Sequence, residues 1–188
     1  MCFLFVEDAR TLPGLYVGPT LCTILVHTIL SHPALYKCLP MSCFSIENTP
    51  PWMAQKVVMT IKSIVVLVAL VTYNSDAWAM FHLAIALASV ELADLLVMSK
   101  ALTIDIVLHH IMYIGLFSAC VTHICLPVYP MVSMMSQELS GMFLNPILLL
   151  RNRYPPSSIK LLNVLFAVSF ALFRLVIHPS VILYFVHV

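Results

Sequence analysis

Two adjacent histidines, His109 and His110, stand at the mouth of an apolar run, just after the acidic Asp105. A histidine beside a carboxylate can act as a general base or, less often, as a nucleophile that accepts an acyl group. Tyr113 lies i+4 from His109 and i+3 from His110, so on a helix it can reach either ring. The two rings point about 100° apart, and both line one cavity only if it is broad. The next apolar run carries Glu138 and Asn145, i and i+7, on one helical face with Met142 between them. Elsewhere Glu91 and Asp94 are spaced i, i+3, Arg174 and His178 are spaced i, i+4, and Lys62 sits about two turns into its own run. Pro146 follows Asn145 and removes a backbone donor, which leaves a carbonyl near Met142 for a ligand or water.

These side chains are expensive where they stand. Lys62, Glu91, Asp94, Glu138 and Arg174 would together cost about 12 to 17 kcal/mol if all faced lipid. That is comparable to the whole stability of a domain. Most of them are therefore expected to turn inward, and those of the third to sixth spans to converge on one enclosed pocket. Plainer roles stand beside the functional ones. Glu138 and Arg174 could form a buried ion pair locking two helices, Asp94 could pair with Lys100 at the interface, and Lys62 could snorkel to the interface or pair inside the bundle. His27 and His82 read as structural.

The elements that position these residues follow from composition. Of 188 residues, 62% are hydrophobic and only 9% charged, against roughly 25% charged in soluble domains. Runs of about 20 apolar residues, the length that crosses a bilayer, recur along most of the chain. The expected fold is all-α: a polytopic integral membrane bundle of about six transmembrane helices, with a short segment 1–14 ahead of one membrane-embedded domain, 15–188. The spans are Leu15–Ser31, interrupted by Gly18-Pro19 near its start, then Lys56–Tyr73, about Trp78–Met98, Ile106–Val128, Met131–Leu150 and Ser158–His187. The proline-rich stretch His32–Trp52 reads as a loop, with Trp52 as an interfacial anchor. Pro155-Pro156 reads as a breaker, and Pro179 as a kink in the last span. Loop lysines and arginines put the first, third and fifth loops in the cytoplasm by the positive-inside rule.

Several classes are excluded. The net charge is +1 with no long basic tract, so nucleic acid is not an expected partner. MCFLFVEDAR has no basic n-region and does not read as a cleaved signal peptide. Of eight histidines only His109 and His110 cluster, which does not supply the histidine boxes of membrane diiron enzymes; no metal or other cofactor is expected. No G-x-S-x-G occurs for Ser-His-Asp hydrolysis. The six cysteines read as buried thiols, though Cys38 and Cys43 share a loop and could pair in an oxidising lumen.

The ordered set Asp94-Leu95-Leu96, His109-His110, Glu138-Leu139-Ser140, Phe143-Leu144-Asn145 and Arg174 with Pro179 resembles the TLC domain family (TRAM, LAG and CLN proteins) from about Trp52 to Tyr184. The resemblance implies a bundle of about six helices around a lipid-accessible cavity, in the endoplasmic reticulum or a related membrane. It also implies membrane lipids or fatty acyl chains as partners. In the ceramide synthase branch the paired histidines belong to the acyl-transfer centre, where acyl-CoA is joined to a sphingoid base. Here the acidic signature of the following helix is reduced to Glu138, and the pattern is closer to the smaller TLC-domain proteins of membrane lipid homeostasis. Acyl transfer is the alternative. The expected site comprises His109 and His110, catalytic if the protein is an enzyme, with Asp94, Tyr113, Glu138, Asn145 and Arg174 contacting lipid.

Overall fold

The computed structural model describes residues 12–36, 49–73, 76–98, 103–122, 135–151, 153–180 and 183. Among these, every regular element is helical and none is a strand. In chain order they are α1 (Leu12–Leu30), a 3₁₀ turn (Pro33–Tyr36), α2 (Pro50–Tyr73), α3 (Ala77–Met98), α4 (Ile104–Thr122), a 3₁₀ turn (Gln137–Ser140), and α5 (Gly141–Leu150). A further 3₁₀ turn (Pro156–Ile159), α6 (Lys160–Phe170) and a π-helical segment (Ala171–Ile177) complete the series.

Three helical stretches are long and apolar enough to cross a membrane: Pro50–Thr72, Trp78–Met98 and Pro156–Ser180. They correspond to the second, third and sixth expected spans. Gly14–Leu30 and Ile104–Ser118 are shorter apolar helices. The segment 123–134, which includes the end of the fourth expected span and the start of the fifth, lies outside the described residues, as do Cys38 and Cys43.

Prolines account for most of the differences from the expected boundaries. Pro50 and Pro51 open α2 instead of ending a loop, so Trp52 lies in the first turn of the helix. Proline is pre-set for that position, because its φ is helical and its missing N–H is one the first turn does not need. Met53 N–H then donates to the Thr49 carbonyl at 3.0 Å. Pro155 is extended, with φ −61° and ψ 149°, and Pro156 starts the turn that leads into α6. Pro19 lies inside α1 without interrupting it, as membrane-type helices tolerate. Near Pro179, whose missing N–H cannot serve the Leu175 carbonyl, the helix has widened into the π register over the preceding residues.

The chain forms two compact units, residues 1–26 with 73–131, and residues 27–72 with 132–188. In the first, α3 packs along α4. Met80, Ala84, Leu87, Ala88 and Ala93 of α3 are buried, as are Tyr113 and Phe117 of α4; the small residues let the two backbones approach. Tyr16 of α1 shares a 3.0 Å hydrogen bond with Ser118 of α4. Asp76 caps α3, its Oδ1 accepting from the backbone N–H groups of Trp78 at 2.9 Å and Ala79 at 3.1 Å.

In the second unit α5 packs along α6, and the Gln137–Ser140 turn touches α5, α6 and the π segment. Its core is Met53, Ala54, Val58, Met59 and Val66 of α2 with Met135, Leu139, Ile147 and Ile159. Arg153 reaches back to α2, with Nη2 3.0 Å from Met53 Sδ and Nη1 donating to the Leu149 carbonyl. The helices turn apolar surface outward: Leu21 and Leu25, Leu108 and Met112, and Leu161, Val168 and Leu175 are exposed. Lys62, Glu91, Asp94 and Glu138 are buried. Apolar outside and charged inside is the reverse of a soluble domain and suits a lipid solvent.

Candidate functional site

The first cluster is built by α3 and α4. Glu91 and Asp94 fall on one face of α3 because they are three residues apart, and that face meets His110. His110 Nδ1 meets Glu91 Oε2, and Nε2 lies 3.0 Å from Asp94 Oδ2. The second contact is at ion-pair distance with its N–H direction off the line of a linear hydrogen bond. All three residues are at most 5% exposed. An imidazolium donates from both nitrogens, whereas a neutral ring would turn one lone pair toward a carboxylate. The clamp therefore fits a charged ring, and it fixes the ring plane from both edges.

His109 is turned away from this clamp and is partly exposed. Its ring centroid lies 4.4 Å from that of Tyr113, which in turn makes an edge contact with Phe117 at 5.6 Å. So of the two rings Tyr113 could reach, it takes His109. Asp105 is exposed at the start of α4, ahead of the apolar run. Its carboxyl is held below the usual carboxylate range chiefly by a hydrogen bond from Thr103. Among the described residues no group of His, Cys, Asp and Glu is arranged to hold a metal ion.

The second cluster lies in the other unit. Lys62 Nζ of α2 is 2.7 Å from Glu138 Oε2, and both residues are 8% exposed. The partner of Glu138 is thus Lys62, not Arg174, and Lys62 pairs inside the unit instead of snorkelling. Arg174 Nε donates to Ser140 Oγ at 3.3 Å, and its guanidinium lies 5.5 Å from the Phe170 ring centroid. The Gln137 amide nitrogen lies 2.8 Å from His178 Nδ1. Asn145 Nδ2 donates to the Gly141 carbonyl at 2.9 Å, within its own helix. Gly141 lies against α2: a Cβ there would stand 2.8 Å from Ser63 Oγ.

The seven expected site residues are thus divided between the units. His109, His110, Asp94 and Tyr113 belong to the first, and Glu138, Asn145 and Arg174 to the second. Two residues outside that set are central, Glu91 and Lys62. The i, i+3 spacing from Asp94 pointed to Glu91, and its depth in an apolar run pointed to Lys62. Ser140 stood in the family-like set Glu138-Leu139-Ser140, but no role of its own followed from the sequence. His27, 2% exposed, accepts or donates at Nδ1 with Ser31 Oγ at 3.2 Å, and His82 is exposed with an edge contact to Trp78.

The fold and these two clusters define a helical membrane protein in which the buried charges Lys62, Glu91, Asp94, His110 and Glu138 are matched within each unit. Comparison of the chain with protein-family models, with curated proteins and with solved structures finds no match in any of the three.

Proposed function

We propose that the chain is a TLC-type multi-pass membrane protein of about six spans that binds or handles lipid or acyl chains in an intramembrane cavity and acts in membrane lipid homeostasis. Its membrane is the endoplasmic reticulum or a related one. The observation that carries this reading is the His110 ring held between Glu91 and Asp94 inside two apolar helices. Ionisable groups are rare in such helices and mark function by default, and two of these three, Asp94 and His110, belong to the ordered motif set that resembles the family. In this reading Asp94 orients His110, and His109 with Tyr113 presents the polar contact to the lipid. Glu138 orients its neighbours, Asn145 offers its side-chain oxygen, and Arg174 meets a head group.

A second reading is a ceramide-synthase-like N-acyltransferase. It is favoured by the unequal environments of the pair, one ring clamped and the other partly exposed. His109 would take the proton as the amine of a sphingoid base attacks the thioester carbonyl of acyl-CoA, and the CoA thiol would leave.

Lipidomics of cells expressing the wild type or His109→Ala/His110→Ala at equal levels tests both. Altered phospholipid acyl chains without acyltransferase activity support the homeostatic role. New ceramide that requires the histidines supports the enzyme. Identical lipid profiles for both proteins and for untransfected cells overturn the two readings together.

A further inference from the structure

We propose that Arg174, with Ser140 and Phe170, forms a receptor for the single anionic head of an amphiphile, a carboxylate or a phosphate. The inference rests on the lipid-handling reading and names the ligand class for the second unit. Three observations lead to it.

Arg174 lies within the span Pro156–Ser180, and among the described residues no carboxylate pairs with it. Glu138, on the same 3₁₀ turn as the Ser140 that Arg174 meets, is engaged by Lys62 at 2.7 Å. A guanidinium cannot escape this position by losing its proton, so its charge stays costly until an acid meets it.

The guanidinium is also held ready. Ser140 Oγ takes the Nε–H at 3.3 Å, and the Phe170 ring lies 5.5 Å away. Those contacts leave the terminal amino groups without a hydrogen-bond partner among the described residues, although they are the pair that grips a carboxylate or phosphate in parallel. The π segment Ala171–Ile177 carries Arg174 at its centre, and π turns recur at functional sites. His178, one turn further on and 2.8 Å from the Gln137 amide nitrogen, adds a second polar group on the same side of the helix.

Access is the third observation. Over the 18 apolar residues that mark each span, only 6% are buried within Pro156–Ser180, against 61% within Trp78–Met98. A ligand can therefore reach Arg174 sideways from the bilayer, its tail lying along outward apolar side chains such as Val168, Leu172 and Leu175. A zwitterionic head brings its own cation and gains less from this site than a head of one sign.

The test uses the full chain in phosphatidylcholine nanodiscs and three diazirine probes of equal chain length: a fatty acid, the corresponding fatty alcohol and a phosphatidic acid. Wild type should capture at least one acidic probe about tenfold more than the alcohol, the size expected of one charge-assisted contact. Whichever acid wins, fatty acid or phosphatidic acid, identifies the source of the anion. Arg174→Gln should capture acids only at the alcohol's level. Arg174→Lys, which keeps the charge but not the fork, should fall between, and gel filtration verifies that each variant is monodisperse. Equal capture of acid and alcohol by wild type, or acid preference unchanged in a monodisperse Arg174→Gln, overturns the inference and leaves the lipid-handling reading standing. No capture of any probe by wild type overturns both.

Discussion

The Lys62–Glu138 pair makes a prediction that the distances allow to be worked through. At 2.7 Å two unit charges attract by about 6 kcal/mol at an effective dielectric of about 20. Desolvation of both groups offsets much of this, so the intact pair contributes little net stability relative to apolar residues of similar shape. Removing one partner is different, because the other stays buried and uncompensated at a cost of about 3 to 5 kcal/mol. For a chain of this size about 1 kcal/mol moves Tm by about 2 to 4 °C. Lys62→Met alone should therefore lower Tm by about 6 to 20 °C. Glu138→Leu alone should do the same, since Lys62 then loses the Glu138 carboxylate. The double variant Lys62→Met/Glu138→Leu should return to the wild-type value or rise above it.

The assay is thermal unfolding in a neutral detergent, followed by tryptophan fluorescence and by loss of the monodisperse gel-filtration peak. Trp52 and Trp78 are the only tryptophans, and Trp52 opens the same helix as Lys62, so the signal includes a local reporter. A Lys62→Met protein as stable as wild type would mean that the ammonium reaches the interface and the pair is idle. A double variant as unstable as the sum of the singles would mean that each side chain acts through packing alone. Either result refutes the account of charge turned inward and matched.

Other consequences follow from the same geometry. His110→Ala removes the ring that Glu91 and Asp94 both meet, and should cost about 3 to 5 kcal/mol. Adding Glu91→Gln should recover part of that in the same melting assay. Gly141→Ala places a methyl 2.8 Å from Ser63 Oγ and should destabilise by about 1 to 3 kcal/mol; Ser63→Ala in the same chain should relieve it. Asp76→Ala removes the acceptor for Trp78 and Ala79 and should cost about 0.5 to 2 kcal/mol. Its signature is faster hydrogen exchange confined to the first turn of α3.

How much of this was legible in the sequence depended on whether the signal was local. The all-helical class and three helices long and apolar enough to cross a membrane follow from length and hydropathy alone, and the shared face of Glu91 and Asp94 follows from i, i+3 spacing. Partner choice did not follow. Lys62 and Glu138 are far apart in the chain, and nothing in either run says which of the intrahelical cations Glu138 will meet. Arg174 was as good a candidate until the second unit's packing put Lys62 against it. Tyr113 posed the same difficulty at short range, since i+3 and i+4 are both within reach on a helix, and the choice of His109 was set by His110 turning toward α3. The prolines misled for a further reason. Pro50-Pro51 as a loop end and as a helix start have the same sequence signature, and only the backbone that follows distinguishes them.

The matched and unmatched charges lead to a division of labour. His110 meets Glu91 and Asp94, and Lys62 meets Glu138, each within its own unit, so their substitution should be felt first as lost stability. His109 and Arg174 are placed differently: each is partly exposed, and each is backed by an aromatic ring. Arg174 has no carboxylate contact at ion-pair distance among the described residues. Both positions are partly exposed, and truncating Arg174 removes no carboxylate's counter-charge among the described residues, so the melting temperature should move less than for His110→Ala while lipid capture or lipid profile changes. Were His109→Ala and Arg174→Gln to unfold the protein as readily as His110→Ala, with no change in lipid handling by the folded fraction, the polar side chains would be holding helices together. The lipid reading would then lose its physical basis.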